Sequence, residues 1–552
     1  MADERIQPQP AEEAGKIPPL ADSPAIINEA KHASDCEHAM TLLQALRVYP
    51  KAIGWSVLLS STLIMEGYDL ALLSALYNSQ VFNKKFGAFN ESTGKYAISA
   101  AWQSGLSNGA RAGEILGLII AGWCSDRYGH KLTTIASLVL MIGFIAVLFF
   151  APRIEVLLAG EVLCGIPWGA FQSVSPAYAS EVAPTVLRPY LTTFINMCWV
   201  IGQFFAAAVN KGSINRTDEW AYRIPFGVQW VWPLPILAGV LFAPESPWWH
   251  VRQGNRAAAK ASLLRLTSKG KDPSFHADET IALIEHTNEL EKKMKEGVRF
   301  RDCFRDVDLR RTEIVVGIWL VQTLGGQNIM GYFTYFMTQS GMEASNSFSL
   351  SMGQYALGMV GTAGSWFLMA RVGRRTIHLG GICTQCLLLI IVGSIGFSGT
   401  KASIWAIGGL LIFFTFVYDF AVGPVTYSLI SELSSTRLKA KTIVLARAAY
   451  NASNIFVNVM TNYQLSSEAW NWGAKAAYFW AVTALLSTVW VFFRLPEPKD
   501  RTYAELDLLF EHRVAARKFA KTMINPFPNS VDEVKRFSTE KELEHGKMET
   551  RP

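Results

Sequence analysis

The chain has 552 residues, of which 50% are hydrophobic and only 17% charged, whereas soluble proteins carry about 25% charged residues. With 12% aromatics, 42 glycines and a net charge of +6, the composition excludes an ordinary soluble globular protein and points to a polytopic protein of the lipid bilayer. The basic excess needs no nucleic acid, because cytoplasmic loops of membrane proteins are rich in Lys and Arg.

Residues 1–52 are polar, contain Pro and Glu, and lack an apolar core. They read as a disordered cytoplasmic tail and not as a cleaved signal peptide. Apolar runs of about 20 residues, the length that crosses a bilayer, then recur at 53–76, 98–123, 132–151, 155–177, 190–210, 226–243, 312–337, 350–370, 376–397, 403–430, 441–463 and 474–494. The expected fold is all-α, with twelve transmembrane helices in two halves. An N-terminal six-helix bundle spans 53–243 and a C-terminal one spans 312–494. Between them lies a charge-rich cytoplasmic helical linker, 244–311, and a cytoplasmic tail follows at 495–552.

Charged loops set the expected orientation. Asp126-Arg127 with His130-Lys131, the linker, Arg371 with Arg374-Arg375, and Arg437 with Lys439 and Lys441 fall on one side, which is expected to be cytoplasmic together with both termini. The opposite loops carry Asn90-Glu91-Ser92 and Asn215-Arg216-Thr217, two N-glycosylation patterns on the expected outer side.

The first span, LLSSTLIMEGYDLALLSAL, holds Glu66 and Asp69 near its middle. A carboxylate there costs roughly 2.5–3.5 kcal/mol on insertion scales. Residues three apart share a helix face, so both acids are expected to point the same way, and two close carboxylates in a low dielectric do not readily both ionise. That is the chemistry of a proton carrier; a fixed salt bridge that neutralises the pair is the alternative.

An internal repeat is visible. Gly122 to Lys131, with Asp126, Arg127 and Gly129, recurs weakly as Ala370 to Arg375, with Arg371 and Gly373; Glu181 to Arg188 recurs as Glu432 to Lys439, with Arg437. Copies at matched places in each half suit two parallel repeats. The glycines permit close approach, and Asp126, Arg127, Glu181, Arg188, Arg371, Glu432 and Arg437 are expected to pair with helix ends and lock one conformation.

Across residues 50–505 the chain resembles the sugar porter family of the major facilitator superfamily. The likeness rests on Gly67-Tyr68-Asp69, the two repeated motifs, Pro244-Glu245-Ser246-Pro247-Trp248, Gln322 through Tyr332, Gly423-Pro424 and Pro496-Glu497. Within that family it is similar to fungal α-glucoside permeases, through Cys164-Gly-Ile-Pro-Trp-Gly-Ala-Phe-Gln172, the Glu-Gly-Tyr-Asp order and Trp248-Trp249. The resemblance adds Glu245 and Glu497 to the locking residues. It also implies a sugar site between the halves, contacted by Asn196, Gln322, Thr323, Asn328, Tyr332, Tyr427, Tyr450 and Asn454. Amides donate and accept as vicinal hydroxyls require. Tyr427 stands where many hexose carriers have Trp, and Thr323 where many have a second Gln, which argues against a plain hexose.

Four further charges lie inside predicted spans: Glu114, Glu161, Asp419 and Arg447, with Arg111 a fifth beside Glu114. Many related symporters carry an Arg where this chain has Glu161, so the acids need another cation, and Arg447 is the expected one. The resulting reading is a monomeric plasma-membrane symporter that moves a proton with a disaccharide such as maltose, sucrose or trehalose. Glu66, Asp69, Glu114, Glu161 and Arg447 are the expected coupling residues. A β-linked disaccharide (cellobiose or lactose) permease, a facilitative uniporter and a sugar sensor are the alternatives. No nucleophile–base constellation or phosphate loop is present, and Cys383-x-x-Cys386 stands alone, so neither catalysis nor a metal or other cofactor is expected.

Overall fold

A computed structural model of the chain describes residues 40–90, 94–184, 186–268, 276–295, 300–435, 438–466, 469–499, 501 and 503–522, with four isolated positions before residue 40. Arg437 and most of both tails lie outside the described residues. Twelve long helical passes dominate. They are α1 (Pro50–Leu76), α2 (Ala100–Tyr128), α3 (His130–Phe149), α4 (Ile154–Val182), α5 (Arg188–Ser213) and α6 (Trp220–Phe242). After the linker come α7 (Asp306–Gly331, continued by Phe333–Gln339), α8 (Ala344–Arg371), α9 (Arg374–Ile395), α10 (Lys401–Leu433), α11 (Lys439–Leu465) and α12 (Gly473–Arg494). Several run longer than the apolar runs, because a helix continues past the hydrocarbon wherever its backbone can still bond to itself. A short hairpin, Ala88–Asn90 with Lys95–Ala97, sits between α1 and α2.

Among the described residues, nine of these passes are apolar enough to span by hydropathy alone; α2, α8 and α11 are not. Their polar residues turn inward. Gln103, Ser104, Arg111 and Glu114 of α2, Gln354 and Thr362 of α8, and Asn451, Asn454, Asn458 and Asn462 of α11 are all buried. The outer faces are apolar instead, with Ile119, Trp123, Phe367, Leu387, Leu486 and Phe493 exposed, as lipid rather than water is the solvent there.

Helices α1–α6 pack on one another, as do α7–α12, and the two groups meet along α5–α8 and α2–α11. Within the first group α2 and α4 cross with their backbones almost touching. A Cβ on Gly113 would strike the Val162 carbonyl, and one on Gly165 the Ala110 carbonyl; only small residues allow this approach.

The sequence repeat becomes a repeat of contacts. Glu245, after α6, accepts from the His130 and Lys131 backbone N–H at 3.1 and 2.9 Å, and Glu497, after α12, accepts from the Arg375 backbone N–H at 3.1 Å. Each carboxylate thus caps a helix N-terminus, where negative charge is favoured. Each also fills the space where Gly129 or Gly373 lacks a side chain. Lys131 Nζ donates to the Leu241 carbonyl at 2.7 Å, and Arg375 to that of Phe492 at 2.8 Å. Glu181 holds His130 (3.1 Å), Ser246 and Arg252, while Glu432 holds Arg374 (3.3 Å).

The expected locks are therefore corrected in part. Asp126, Arg127 and Arg371 are exposed. Arg127 lies against Trp123 and Tyr128 of its own helix, and Arg188 bonds the Ala183 carbonyl a turn away. The four glutamates make the bridges because they sit beside free helix N–H groups or basic side chains of the adjoining helix. Below this end, the linker helices Pro247–Arg252, Arg256–Leu266 and Ala277–Lys295 share a small apolar core of Val251, Ala259, Leu263, Ile281 and Ile284. At the opposite end Asn215 is exposed; the Asn90 side chain lies outside the described residues.

Replacing Gly113 with Leu is expected to force α2 and α4 apart and destabilise the protein by at least about 3 kcal/mol, the upper part of the overpacking range. Thermal unfolding of the detergent-purified variant measures this, and an unchanged midpoint would contradict the crossing.

Candidate functional site

Glu66 and Asp69 occupy the second part of α1, which breaks at Ser61-Thr62 and resumes at Leu63. The two hydroxyls bond back to the Val57 and Leu59 carbonyls at 2.8 and 2.7 Å, a pattern that bends helices. The carboxyls are 0% and 1% exposed, yet they do not form one pair. Three residues along a helix leave them roughly 60° apart around the axis, enough to send them to different neighbours.

Glu66 turns toward α2, α4 and α5. Its Oε1 accepts from Gln172 Nε2 at 2.7 Å and from Arg111 Nη1 at 3.5 Å, and its Oε2 accepts from Trp199 Nε1 at 3.1 Å. Asp69 turns toward α6 and α4, accepts from Gln229 Nε2 at 2.6 Å, and faces the carboxyl of Glu161. Neither Glu161 oxygen has a hydrogen-bond partner among the described residues. Two neighbouring carboxyls in a low-dielectric interior do not readily both ionise.

The expected cation is also corrected. Arg111, not Arg447, touches the acids: its Nη1 donates to both Glu114 oxygens at 2.9 and 2.8 Å besides reaching Glu66. Arg447 of α11 donates through Nε to Gln172 Oε1 at 3.0 Å. Gln172 thus gives its nitrogen to a carboxylate of one half and its oxygen to a guanidinium of the other. Only one orientation of the amide serves both. The Arg447 guanidinium lies 4.7 Å from the ring centres of Trp319 and Tyr450 and 5.4 Å from that of Trp199, in cation–π range. Four buried carboxyls (Glu66, Asp69, Glu114, Glu161) thus share an interior with two buried guanidiniums (Arg111, Arg447). Two negative charges are left without a cation, and protonation is the ordinary way a buried acid avoids that cost.

The polar residues expected to meet a sugar divide into four places. Tyr450 and Tyr427 flank Trp319, with ring centres 4.7 and 5.3 Å from it; Gln322 lies one turn along α7, beside Tyr418, and Asn454 Nδ2 bonds the Tyr450 carbonyl at 3.2 Å. Thr323 bonds Ser453 at 2.7 Å within the second half. Asn328 meets Asn458 at 2.6 Å and Tyr332 meets Ser107 at 2.9 Å, in the seam where α2 approaches α11. That seam continues through Asn458–Asn108 and Asn462–Ser104, both at 3.3 Å. Asn196 is committed elsewhere: its amide donates to Asp419 at 3.0 Å and Thr362 at 3.2 Å across the α5–α8–α10 contact.

Two helices break here. α7 passes through a wide turn at Thr323–Gln327, with Gly326 at φ 89, and α10 through another at Tyr418–Val422 before Gly423-Pro424. Wide turns of this kind concentrate at functional sites. Gln172, Trp199, Trp319 and Gln229 were not among the expected site residues. One signal pointed to Gln172: it lies three turns from Glu161, on the same face of α4.

A family model described as sugar (and other) transporter matches residues 55–510. The chain belongs to that sugar transporter family. A maltose permease of Saccharomyces cerevisiae is 42% identical over 516 residues, which are 93% of this chain and 84% of that protein. A general alpha-glucoside permease of the same species is 42% identical over 518 residues, 92% of this chain and 84% of that one. Among solved structures, the proton:xylose symporter XylE bound to 6-bromo-6-deoxy-D-glucose matches with a TM-score of 0.68 at 21% identity, covering 84% of this chain and 99% of that one. An inward open XylE from E. coli matches at 0.66 and 19% identity, covering 83% and 99%. At such identities the likeness speaks to fold alone, and the fold is the major facilitator fold. As a member of a transporter family, this protein is not an enzyme.

A double-mutant cycle on Gln172→Leu and Arg447→Met, read as unfolding free energy in detergent, is expected to return a coupling of about 1.5–3 kcal/mol, the range for a hydrogen bond to a charged group. A coupling indistinguishable from zero would mean that the two side chains do not bond.

Proposed function

We propose that this sugar transporter imports α-linked glucose disaccharides, such as maltose, sucrose or trehalose, together with a proton. It works as a monomer in the plasma membrane, with both termini cytoplasmic. The observation that carries the coupling is the side-chain path Arg111–Glu66–Gln172–Arg447, which joins the two halves through an acid that lacks a full counter-charge. The disaccharide class follows the relatives that are 42% identical over nine-tenths of the chain and are named for maltose and alpha-glucosides.

In this reading a proton arriving at Glu66 weakens it as an acceptor for Gln172. The amide is then free to turn, and Arg447 loses the partner that holds its Nε. Arg447 Nη1 and Trp319 Nε1 already have no partner among the described residues, and these donors suit sugar hydroxyls. The faces of Trp319 and Tyr450 suit the C–H surface of a glucose ring. The Asp69–Glu161 pair is the second store for the proton, and Glu114 holds the Arg111 guanidinium in place. Alternation between two openings uses the seams between the halves. The Ser104, Ser107 and Asn108 contacts with Asn462, Tyr332 and Asn458 pair hydroxyls and amides, each worth only about 0.5–1.5 kcal/mol net because water replaces them. Such a seam opens to water at modest cost, whereas an apolar one does not. Glu181, Glu245, Glu432 and Glu497 hold each half together as a body while the seams change. Exposed Asn215 is a glycan acceptor on the outer side.

One positive charge moving inward with the sugar contributes about 2.3 kcal/mol per 100 mV, or roughly fiftyfold accumulation per 100 mV. Cells lacking other disaccharide carriers and expressing this protein are expected to alkalinise the medium when maltose is added, and to lose accumulated sugar on treatment with an uncoupler. Asp69→Asn is expected to abolish uphill uptake while leaving sugar exchange across the membrane; full accumulation by that variant would refute the coupling role.

A further inference from the structure

The end of the second half that lies level with the linker carries a cleft of about 470 Å³, within the size range of small-ligand sites. Its walls include Asp306 and Arg310 at the start of α7, Phe493 and Arg494 at the end of α12, and Phe510 and Arg513 from the helix Tyr503–Glu511 and the turn after it. Arg494 is bidentate on Glu313, with its Nε at 2.9 Å. Arg310 lies over the rings of Phe510 and Phe519 at 5.3 and 5.8 Å, and Arg513 is exposed, on a backbone at φ 52. Among the described residues neither Arg310 nor Arg513 has a carboxylate within ion-pair distance, and Asp306 in the same wall pairs with neither. Three guanidiniums therefore converge on a space in which two of them are unpaired. Arg375 and Arg517 add positive charge nearby, both over the ring of Phe492.

The cleft also meets the lipid. Val482, Leu485, Leu486, Val489 and Phe493 form an exposed apolar stripe along α12, and Phe493 belongs both to that stripe and to the cleft wall. A ligand with an anionic head in the cleft would lay its apolar part down this stripe. A soluble anion would leave the stripe unused.

We propose that this arginine cleft binds the phosphate-bearing headgroup of an anionic phospholipid, whose acyl chains lie along α12. Guanidinium groups match phosphate oxygens in geometry as well as charge, and basic pockets at the membrane boundary recognise such headgroups. Occupation would tie together the first turn of α7, the last turn of α12 and the helix Tyr503–Glu511. It depends on neither the proton path nor the sugar contacts.

The test is fluorescence anisotropy of a labelled short-chain phosphatidylinositol monophosphate, titrated with the full-length protein in an uncharged detergent. Saturable binding is expected, displaced by the unlabelled lipid and not by phosphatidylcholine of the same chain length. Arg310→Gln with Arg513→Gln is expected to weaken it about thirtyfold, each arginine near the membrane being worth roughly a factor of five. Arg513→Gln alone, on an exposed turn whose loss does not threaten folding, is expected to weaken it about fivefold. Lys84→Gln with Lys85→Gln, at the opposite end, is expected to leave it unchanged. Wild-type affinity in the double arginine variant would overturn the site. Displacement by inositol phosphate or inorganic phosphate as effective as by the lipid would overturn the lipid assignment in favour of a soluble anion.

Discussion

Too many buried carboxyl groups for too few cations is the constraint on which the interior of this protein depends. Glu66, Asp69, Glu114 and Glu161 are almost entirely removed from solvent, and Arg111 and Arg447 are the guanidiniums in reach. An interior of low dielectric does not tolerate the imbalance as fixed charge. It resolves it in three ways at once. Arg111 is placed between two acids, two other acids face each other where a proton on one would relieve both, and neutral donors (Gln172, Trp199, Gln229) supply hydrogen bonds where a cation is missing. In the proposed coupling, adding or removing one proton is what perturbs this arrangement.

Gln172 gives that perturbation a direction. An isolated ion pair between the halves would hold them with a force that water and salt weaken only gradually. An amide wedged between a carboxylate and a guanidinium is instead sensitive to its own orientation, because exchanging its nitrogen and oxygen turns two good bonds into two repulsive contacts. The aromatic walls around Arg447 limit where its guanidinium can go when that bond is lost. In the proposed coupling, the charge state of Glu66 in one half is thereby linked to the position of a cation in the other.

The rest of the molecule separates what must stay rigid from what must move. Each half carries a matching glutamate cap against a glycine, Glu245 against Gly129 and Glu497 against Gly373. Charge-assisted bonds at helix ends bind neighbouring helices without relying on a hydrophobic effect that lipid does not provide. The α2–α11 seam between the halves uses amides and hydroxyls, whereas α5 and α8 also meet through an apolar cluster of Val200, Ala207 and Tyr355. The arginine cleft at the end of α12 belongs to neither set.

Much of this was legible in the chain itself. Apolar runs, the position of the linker, the matched motifs and the acids of the first span are patterns of composition and spacing. They determined the fold class and, with the motif resemblance, the transporter family. The spans at 98–123, 350–370 and 441–463 were read from the same scan, although α2, α8 and α11 fall short of spanning by hydropathy alone. What the tertiary structure alone decided is which charge meets which. Glu66 and Asp69, neighbours on one helix, part company because roughly 60° of helical rotation sends them to different partners. Arg111 and not Arg447 reaches the acids, Asn196 is drawn to Asp419, and Asp126 gives way to glutamates that lie closer to helix ends. Each of these outcomes depends on distances of a few ångströms between segments far apart in the chain. Periodicity reports the face a residue occupies on its own helix, but not the neighbour that packing brings against it.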